Sequence, residues 1–151
     1  MILHAGCLAL RVDGLWHGVL LSGPSGAGKS DLALRLLERG WRLVSDDRTV
    51  VWTDGRRLFG RAPDALTGLI EARGLDVLRV LPLPFAGLAL RVDCGEEPER
   101  LPEPRTIPLL GVHLPTMRLS PAHASATAKV SQALFAAARL HPLESSGGER
   151  I

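Results

Sequence analysis

The sequence predicts an α/β domain built on a mixed sheet, and three observations carry that prediction. Short apolar runs with strand character recur along the chain, separated by turns that contain Gly and Asp. Two stretches, residues 31–39 and 127–140, instead place apolar residues at helical spacing. Between the second predicted strand and the first predicted helix, residues 23–30 read Gly-Pro-Ser-Gly-Ala-Gly-Lys-Ser, which fits G-x-x-x-x-G-K-[ST]. A phosphate-binding loop needs a strand before it and a helix after it. Both are present.

Residues 2–12 contain an alternating apolar segment read as one strand, turning at Asp13-Gly14. Residues 16–21 form the next strand and feed the loop. The helix that follows buries Leu32 and Leu36, with Ala33 and Leu37 beside them, and stops at Gly40 with Arg39 in its last turn. Residues 41–44 are then a strand that delivers Ser45-Asp46-Asp47-Arg48 at its tip. Residues 49–52 and 57–60 flank the hairpin pair Asp54-Gly55. Residues 63–69 suit a short helix opened by a proline. Residues 77–81 and 87–92 read as strands, 94–108 as a Pro- and Glu-rich surface loop, and 109–114 as a last strand. The Ala-rich C-terminal helix puts Val130, Leu134, Phe135 and Ala138 on one face, and residues 145–151 read as a frayed tail after a domain spanning 1–144.

Composition narrows the function. At 151 residues, with 46% apolar and 23% charged content, the chain reads as one ordinary globular domain. A net charge of +2, with arginines scattered rather than blocked, argues against nucleic acid. The N-terminus lacks the basic region of a signal peptide. The most apolar stretch, residues 80–90, is too short for a membrane span and carries Pro82 and Pro84. A cytoplasmic enzyme fits these features. Cys7 and Cys94 match no metal-ligand spacing and read either as two buried thiols or as one disulfide.

The loop's chemistry follows from its residues. Gly23, Gly26 and Gly28, with Pro24, Ser25 and Ala27 between them, let successive backbone N–H groups turn toward phosphate oxygens at a helix N-terminus. Lys29 would neutralise the terminal phosphates, and the Ser30 hydroxyl would ligate Mg²⁺. A bound nucleoside triphosphate is the expected ligand. Asp46 and Asp47 follow Lys29 by 17 and 18 residues, at the end of the very next strand. Adjacent carboxylates on an extended chain point to opposite faces, so the pair should divide its work. One could take a proton from a hydroxyl acceptor while the other serves the metal or its water.

These residues resemble a family. GPSGAGKSDLALRLLERGWRLVSDDR (residues 23–48) followed by GLIEARGLDVL (residues 68–78) is similar to HPr kinase/phosphorylase. The second block resembles that family's signature of an acidic residue, a spacer, then Arg-Gly-Leu-Gly. The resemblance spans about residues 3–118 and is to the catalytic C-terminal domain, as in a short form without the N-terminal regulatory domain. It implies a fold akin to phosphoenolpyruvate carboxykinase. It also implies transfer of a phosphoryl group from MgATP to a serine of HPr, a small phosphocarrier of a phosphotransferase system. By the same resemblance Lys29 is catalytic, Asp46 is the general base with Asp47 its neighbour on the metal side, and Glu71 is the signature's metal-linked glutamate. Arg73 is its arginine. His4 matches the family's active-site histidine in preference to His17, which sits where the family has a variable turn. Arg118 aligns with a late catalytic arginine, a solvated surface arginine being the alternative. Longer members assemble as hexamers, so a homo-oligomer is expected.

One position departs from the pattern: the signature's second glycine is Asp76 here. That element is linked in the family to dephosphorylation, so kinase activity with weak or absent phosphorylase activity is expected. Two other functions remain open at this stage: a small-molecule kinase acting, for instance, on free serine, and a nucleotide-sensing module without transfer. Asp46 argues against the sensor, which has no need of a base.

Overall fold

The structure, a computed structural model, describes residues 1–95, 100 and 102–140. Strands β1 (Ile2–Leu3), β2 (Ala5–Val12) and β3 (Leu15–Ser22) lead to helix α1 (Lys29–Leu37). Then come β4 (Arg42–Ser45), β5 (Thr49–Thr53), β6 (Leu58–Arg61), β7 (Leu69–Ala72), β8 (Asp76–Arg79) and β9 (Ala86–Cys94). Strands β10 (Arg105–Leu109) and β11 (Val112–Leu119) and helix α2 (Ala126–Leu140) complete the described chain. The sheet is mixed, as expected: β3 and β11 run parallel to β9, while β2 runs antiparallel to both β3 and β4.

Its order is β1-β5-β6-β9-β3-β2-β4. The edge of β9 away from β3 is divided. Gly87 and Ala86 pair with β6, and residues 91–94 pair with β11, which carries β10 outside it. β7 and β8 form a separate hairpin.

Two apolar clusters lie on opposite faces of the sheet. On one, Leu8, Val19, Leu21 and Val92 pack against Leu32 and Leu36 of α1 and Val130 and Leu134 of α2. On the other, Cys7, Leu20 and Val44 meet Val51 of β5 and Leu58 of β6, so the outer strands fold back over the sheet they belong to. This covering explains why residues 5–9 are buried without interruption instead of alternating.

Several boundaries differ from the sequence reading. The single strand expected at residues 2–12 breaks at His4, because β1 pairs with β5 while β2 lies between β3 and β4. The helix expected at 63–69 shrinks to one 3₁₀ turn, Asp64–Leu66, before Leu69 enters β7. The strand expected at 109–114 is interrupted by Leu110 (φ 49°) and Gly111 (φ 79°), a primed hairpin turn joining β10 to β11. Part of the expected 94–108 loop is therefore strand β10. On α2, Ala126 and Ala137 are buried in the places expected for Phe135 and Ala138. The frayed tail expected at 145–151 lies outside the described residues.

Cys7 and Cys94 are buried free thiols, one in each cluster. Burial pushes Cys7 up to about 12, and burial with Asp93 nearby pushes Cys94 up to about 11.

Candidate active site

The arrangement of the strands brings five strand ends to one end of the sheet. β3, β9 and β11 finish there, β4 also finishes there, and β2 begins there, since Ala5 pairs with Ser22. Ligand sites in open α/β sheets gather at such carboxyl ends.

Residues 23–30 wrap from β3 into α1. Gly23 (φ 139°), Gly26 (φ 82°) and Gly28 (φ 97°) all have backbone angles that side chains disfavour. A Cβ on Gly23 would drive into the Cys94 carbonyl oxygen, and one on Gly28 would meet Pro121 at 3.2 Å. The Ala27 N–H donates to the Pro24 carbonyl at 3.1 Å, closing the loop on itself. Lys29 is only 8% exposed, and its ammonium donates to the Gly23 carbonyl, so its charge is held over the loop's mouth. Arg35, from the next turn of α1, pairs with Asp31 at 3.1 Å and donates to the Pro121 and His123 carbonyls. It thereby fastens the segment after β11 against Gly28.

The carboxylates divide sharply. The Ser30 hydroxyl donates to Asp46 Oδ1 at 3.1 Å, and the Glu71 backbone N–H donates to Asp46 Oδ2 at 2.9 Å. Asp47 instead faces His4, whose Nε2 lies 2.7 Å from Asp47 Oδ1. The carboxylate can only accept, so Nε2–H is the donor. The sequence reading explained the divergence by an extended chain. Here it comes from a turn: β4 ends at Ser45, and Asp47 adopts φ 68°, a left-handed angle that Asp tolerates better than most residues. The turn is held by the Ser45 hydroxyl on the Arg48 carbonyl and by the Arg48 N–H on the Asp46 carbonyl at 2.8 Å. Buried Thr49 then donates to the Ala5 carbonyl at 2.8 Å, tying the turn to the start of β2, directly after His4. Ser45 and Thr49 were missed from sequence. Hydroxyls flanking two aspartates at a strand tip were the available signal.

Burial raises Asp46 above the ordinary 3.8, and Asp47 and Glu71 push the same way, while the Glu71 N–H and Ser30 hydrogen bonds oppose. An acid whose folded pKa is raised contributes stability below its unfolded pKa and loses it as pH climbs through the folded value. Asp46→Asn keeps both hydrogen bonds and removes the buried charge. In metal-free, nucleotide-free buffer it should raise the melting temperature near neutral pH by roughly 2 °C. The gain should vanish below about pH 4, as followed by calorimetry across pH.

Other predicted residues lie at varying distance from this centre. Glu71 sits on β7 with its backbone on Asp46, but its exposed carboxylate makes no hydrogen bond or ion pair among the described residues. Arg73 is exposed in the β7–β8 turn beside Gly74 (φ 83°). Arg118, at the end of β11, lies 3.7 Å from Asp93, which pairs across β9 with Ser22 just before the loop. Arg91 was not foreseen. Its guanidinium reaches Ser22 Oγ at 3.3 Å and Thr116 Oγ1 at 3.5 Å, joining β3 to β11 at this end.

The site fits a magnesium-bound triphosphate on two counts. The cradle has no room for side chains at Gly23 and Gly28, and Ser30 with Asp46 offers two hard oxygen donors. No group of three His, Cys, Asp or Glu ligands occurs among the described residues. Among the described residues, no helix is long and apolar enough to cross a membrane.

Residues 3–85 match the family model described as the HPr Serine kinase C-terminal domain. The HPr kinase/phosphorylase of Lacticaseibacillus casei (strain BL23) is 48% identical over 83 residues, covering 54% of this chain and 26% of that protein. That of Bacillus velezensis is 48% identical over 77 residues, 50% of this chain and 25% of that one. The matches thus span about a quarter of the length of these relatives. The structure of the Hpr(Ser) kinase/phosphatase from Coxiella burnetii superposes with a TM-score of 0.72 at 26% identity, covering 93% of this chain and 91% of that one.

Proposed function

The chain belongs to the HPr Serine kinase C-terminal domain family, and from that premise we propose that it is an ATP- and Mg²⁺-dependent protein-serine kinase acting on an HPr-type phosphocarrier. One observation carries the reading. A glycine cradle, a buried lysine and two carboxylates with separate partners meet at one end of the sheet. Bound MgATP would supply the phosphoryl group.

In this reading the N–H groups of residues 23–30 and the α1 N-terminus bind phosphate oxygens, and Lys29 neutralises their charge. Ser30 and Asp46 would hold the metal, and Glu71, whose backbone N–H is on Asp46, would supply a further carboxylate to it. Arg73 and Arg118 are assigned to stabilising charge on the group in transfer, a task a cation performs by electrostatic attraction. The hydrogen bonds favour exchanging the two aspartates relative to the sequence reading. Asp46 is engaged with Ser30 on the metal side, whereas Asp47 is oriented by His4 and its Oδ2 has no hydrogen-bond partner among the described residues. Asp47 is therefore assigned the proton of the acceptor hydroxyl, and His4 holds it in place.

The test is incubation with γ-labelled ATP and Mg²⁺, with purified HPr or free serine as acceptor. Label on a serine of HPr is the expected result. Label on free serine alone would favour a small-molecule kinase, and ATP binding without transfer would favour a sensor.

The reverse reaction should be weak. Asp76 opens β8 and accepts the Val77 N–H at 2.7 Å, at the position where the family signature has glycine. Phosphate-dependent dephosphorylation of seryl-phosphorylated HPr should run at least roughly tenfold slower than transfer, a barrier difference of only ~1.4 kcal/mol. Asp76→Gly should raise it, measured by release of labelled pyrophosphate. A rapid reverse reaction in the unmodified protein would refute this part.

A further inference from the structure

Between the β2–β3 turn and the last turns of α2 lies a cavity of about 300 Å³. It sits at the far end of β3 from the glycine loop, roughly 23 Å away at ~3.3 Å per residue of strand, so it is separate from the site described above. Val12 and Leu15, which pair across the hairpin, and Phe135 and Ala138, on one face of the helix, give it apolar walls. Asp13, in the turn at φ 51°, and Arg139 add one charge of each sign. Three polar groups here are incompletely satisfied. The Asp13 carboxylate makes no hydrogen bond or ion pair among the described residues, and Arg139 uses only its Nε, on the Phe135 carbonyl at 3.3 Å. Opposite charges thus border one small cavity without pairing to each other. The third group is His17, which also borders the cavity and is 4% exposed, with Nδ1 buried and lacking any hydrogen-bond partner. Burial lowers its pKa, against a backbone hydrogen bond to Val12 and the nearby Asp13 charge, so the ring is neutral near pH 7. A neutral imidazole has one N–H and one lone-pair nitrogen. The N–H serves the Val12 carbonyl, which leaves Nδ1 as an acceptor without a donor.

We infer that this cavity is a binding site for a free α-amino acid with an apolar side chain. The ligand's ammonium pairs with Asp13, on the side where His17 offers its unmet acceptor, and its carboxylate pairs with the terminal nitrogens of Arg139. Its side chain lies on Val12, Leu15, Phe135 and Ala138. The arrangement is selective. A ligand without one of its charges leaves Asp13 or Arg139 unpaired, and a polar side chain gains nothing from the apolar walls. The site also accounts for a departure of α2 from the sequence reading: Phe135 and Ala138 are only half-buried because their face borders the cavity instead of the core.

The test is calorimetric titration of the full chain, without nucleotide, with L-leucine, L-phenylalanine, L-serine and two truncated leucines, 4-methylpentanoate and 3-methylbutylamine. At least one of the two apolar amino acids should bind with a dissociation constant below about 1 mM. Serine and both truncated ligands should bind at least about tenfold more weakly. Asp13→Asn and Arg139→Gln should each weaken amino-acid binding about tenfold, with the melting temperature near its starting value. Asp13→Asn should leave 4-methylpentanoate unaffected, because that ligand has no ammonium to lose. In nitrogen-15 NMR the His17 Nδ1 resonance should move when the amino acid is added. No heat and no resonance shift with either apolar amino acid at about 10 mM would overturn the proposal. So would binding that both variants leave unchanged, or binding of 4-methylpentanoate as tight as that of leucine. None of these outcomes bears on the kinase reading, whose site lies at the other end of the sheet.

Discussion

Replacing Asp47 with Asn should lower kcat for phosphoryl transfer by roughly 10²–10⁴, the usual contribution of a positioned base, with little change in ATP affinity. The substitution is nearly isosteric. An Asn oxygen can still accept from His4 Nε2, so the turn at φ 68° and the 2.7 Å contact have no reason to move. What disappears is the ability to take a proton. The companion substitution Asp46→Asn has a different signature. Its oxygen can still accept the Glu71 N–H and its amide can still meet Ser30, but a charged metal donor is lost, so the Mg²⁺ concentration needed for half-maximal activity should rise. Single-turnover rates and magnesium titrations separate the two. If Asp46→Asn destroyed the chemical step at saturating Mg²⁺ while Asp47→Asn spared it, the exchange of roles argued here would be wrong, and the assignment made from sequence would stand.

The second large effect is structural. Gly23→Ala should cost about 3 kcal/mol, from a left-handed backbone angle and a clash with main chain rather than with a movable side chain. At this size that corresponds to a fall in melting temperature of roughly 10 °C, and relief of the clash would have to open the join between β3 and β9. ATP binding should fail along with it. Gly26 provides the control. Its φ of 82° is also unfavourable, but a Cβ there meets nothing within 4 Å. Gly26→Ala should therefore cost only the angular strain, about 1 kcal/mol. Thermal melts of the two variants in nucleotide-free buffer decide the matter: equal losses would show that packing against Cys94 is irrelevant.

Local chemistry made much of the site readable. The loop carries its own signature, and Asp-Gly at residues 13–14 is a hairpin turn wherever it falls, realised here with φ 51° and 80°. The aspartate pair was visible as a strand tip. The partners of each carboxylate were not, because they arrive from distant segments: His4 from 43 residues away, Ser30 from 16 and the Glu71 N–H from 25. Alternation failed as a guide for β2, since the outer strands close over the second face and leave neither side wet. The break at His4 was equally hidden. Nothing local distinguishes one long strand from two short ones paired at separate places in the sheet. The β10–β11 hairpin was obscured by Leu110, an apolar residue in a turn position more often taken by Asn or Asp.

The placement of the two cysteines has a consequence for chemistry at sulfur. Each thiol is enclosed in its own layer, with the sheet between them, and neither ionises readily near neutral pH. Oxidants and alkylating agents act on thiolates that they can touch, and the native molecule presents none among its described residues. Damage at Cys94 would reach the glycine loop through its contact with Gly23, so keeping that sulfur inert insulates the loop's geometry from swings in redox balance until a layer comes apart.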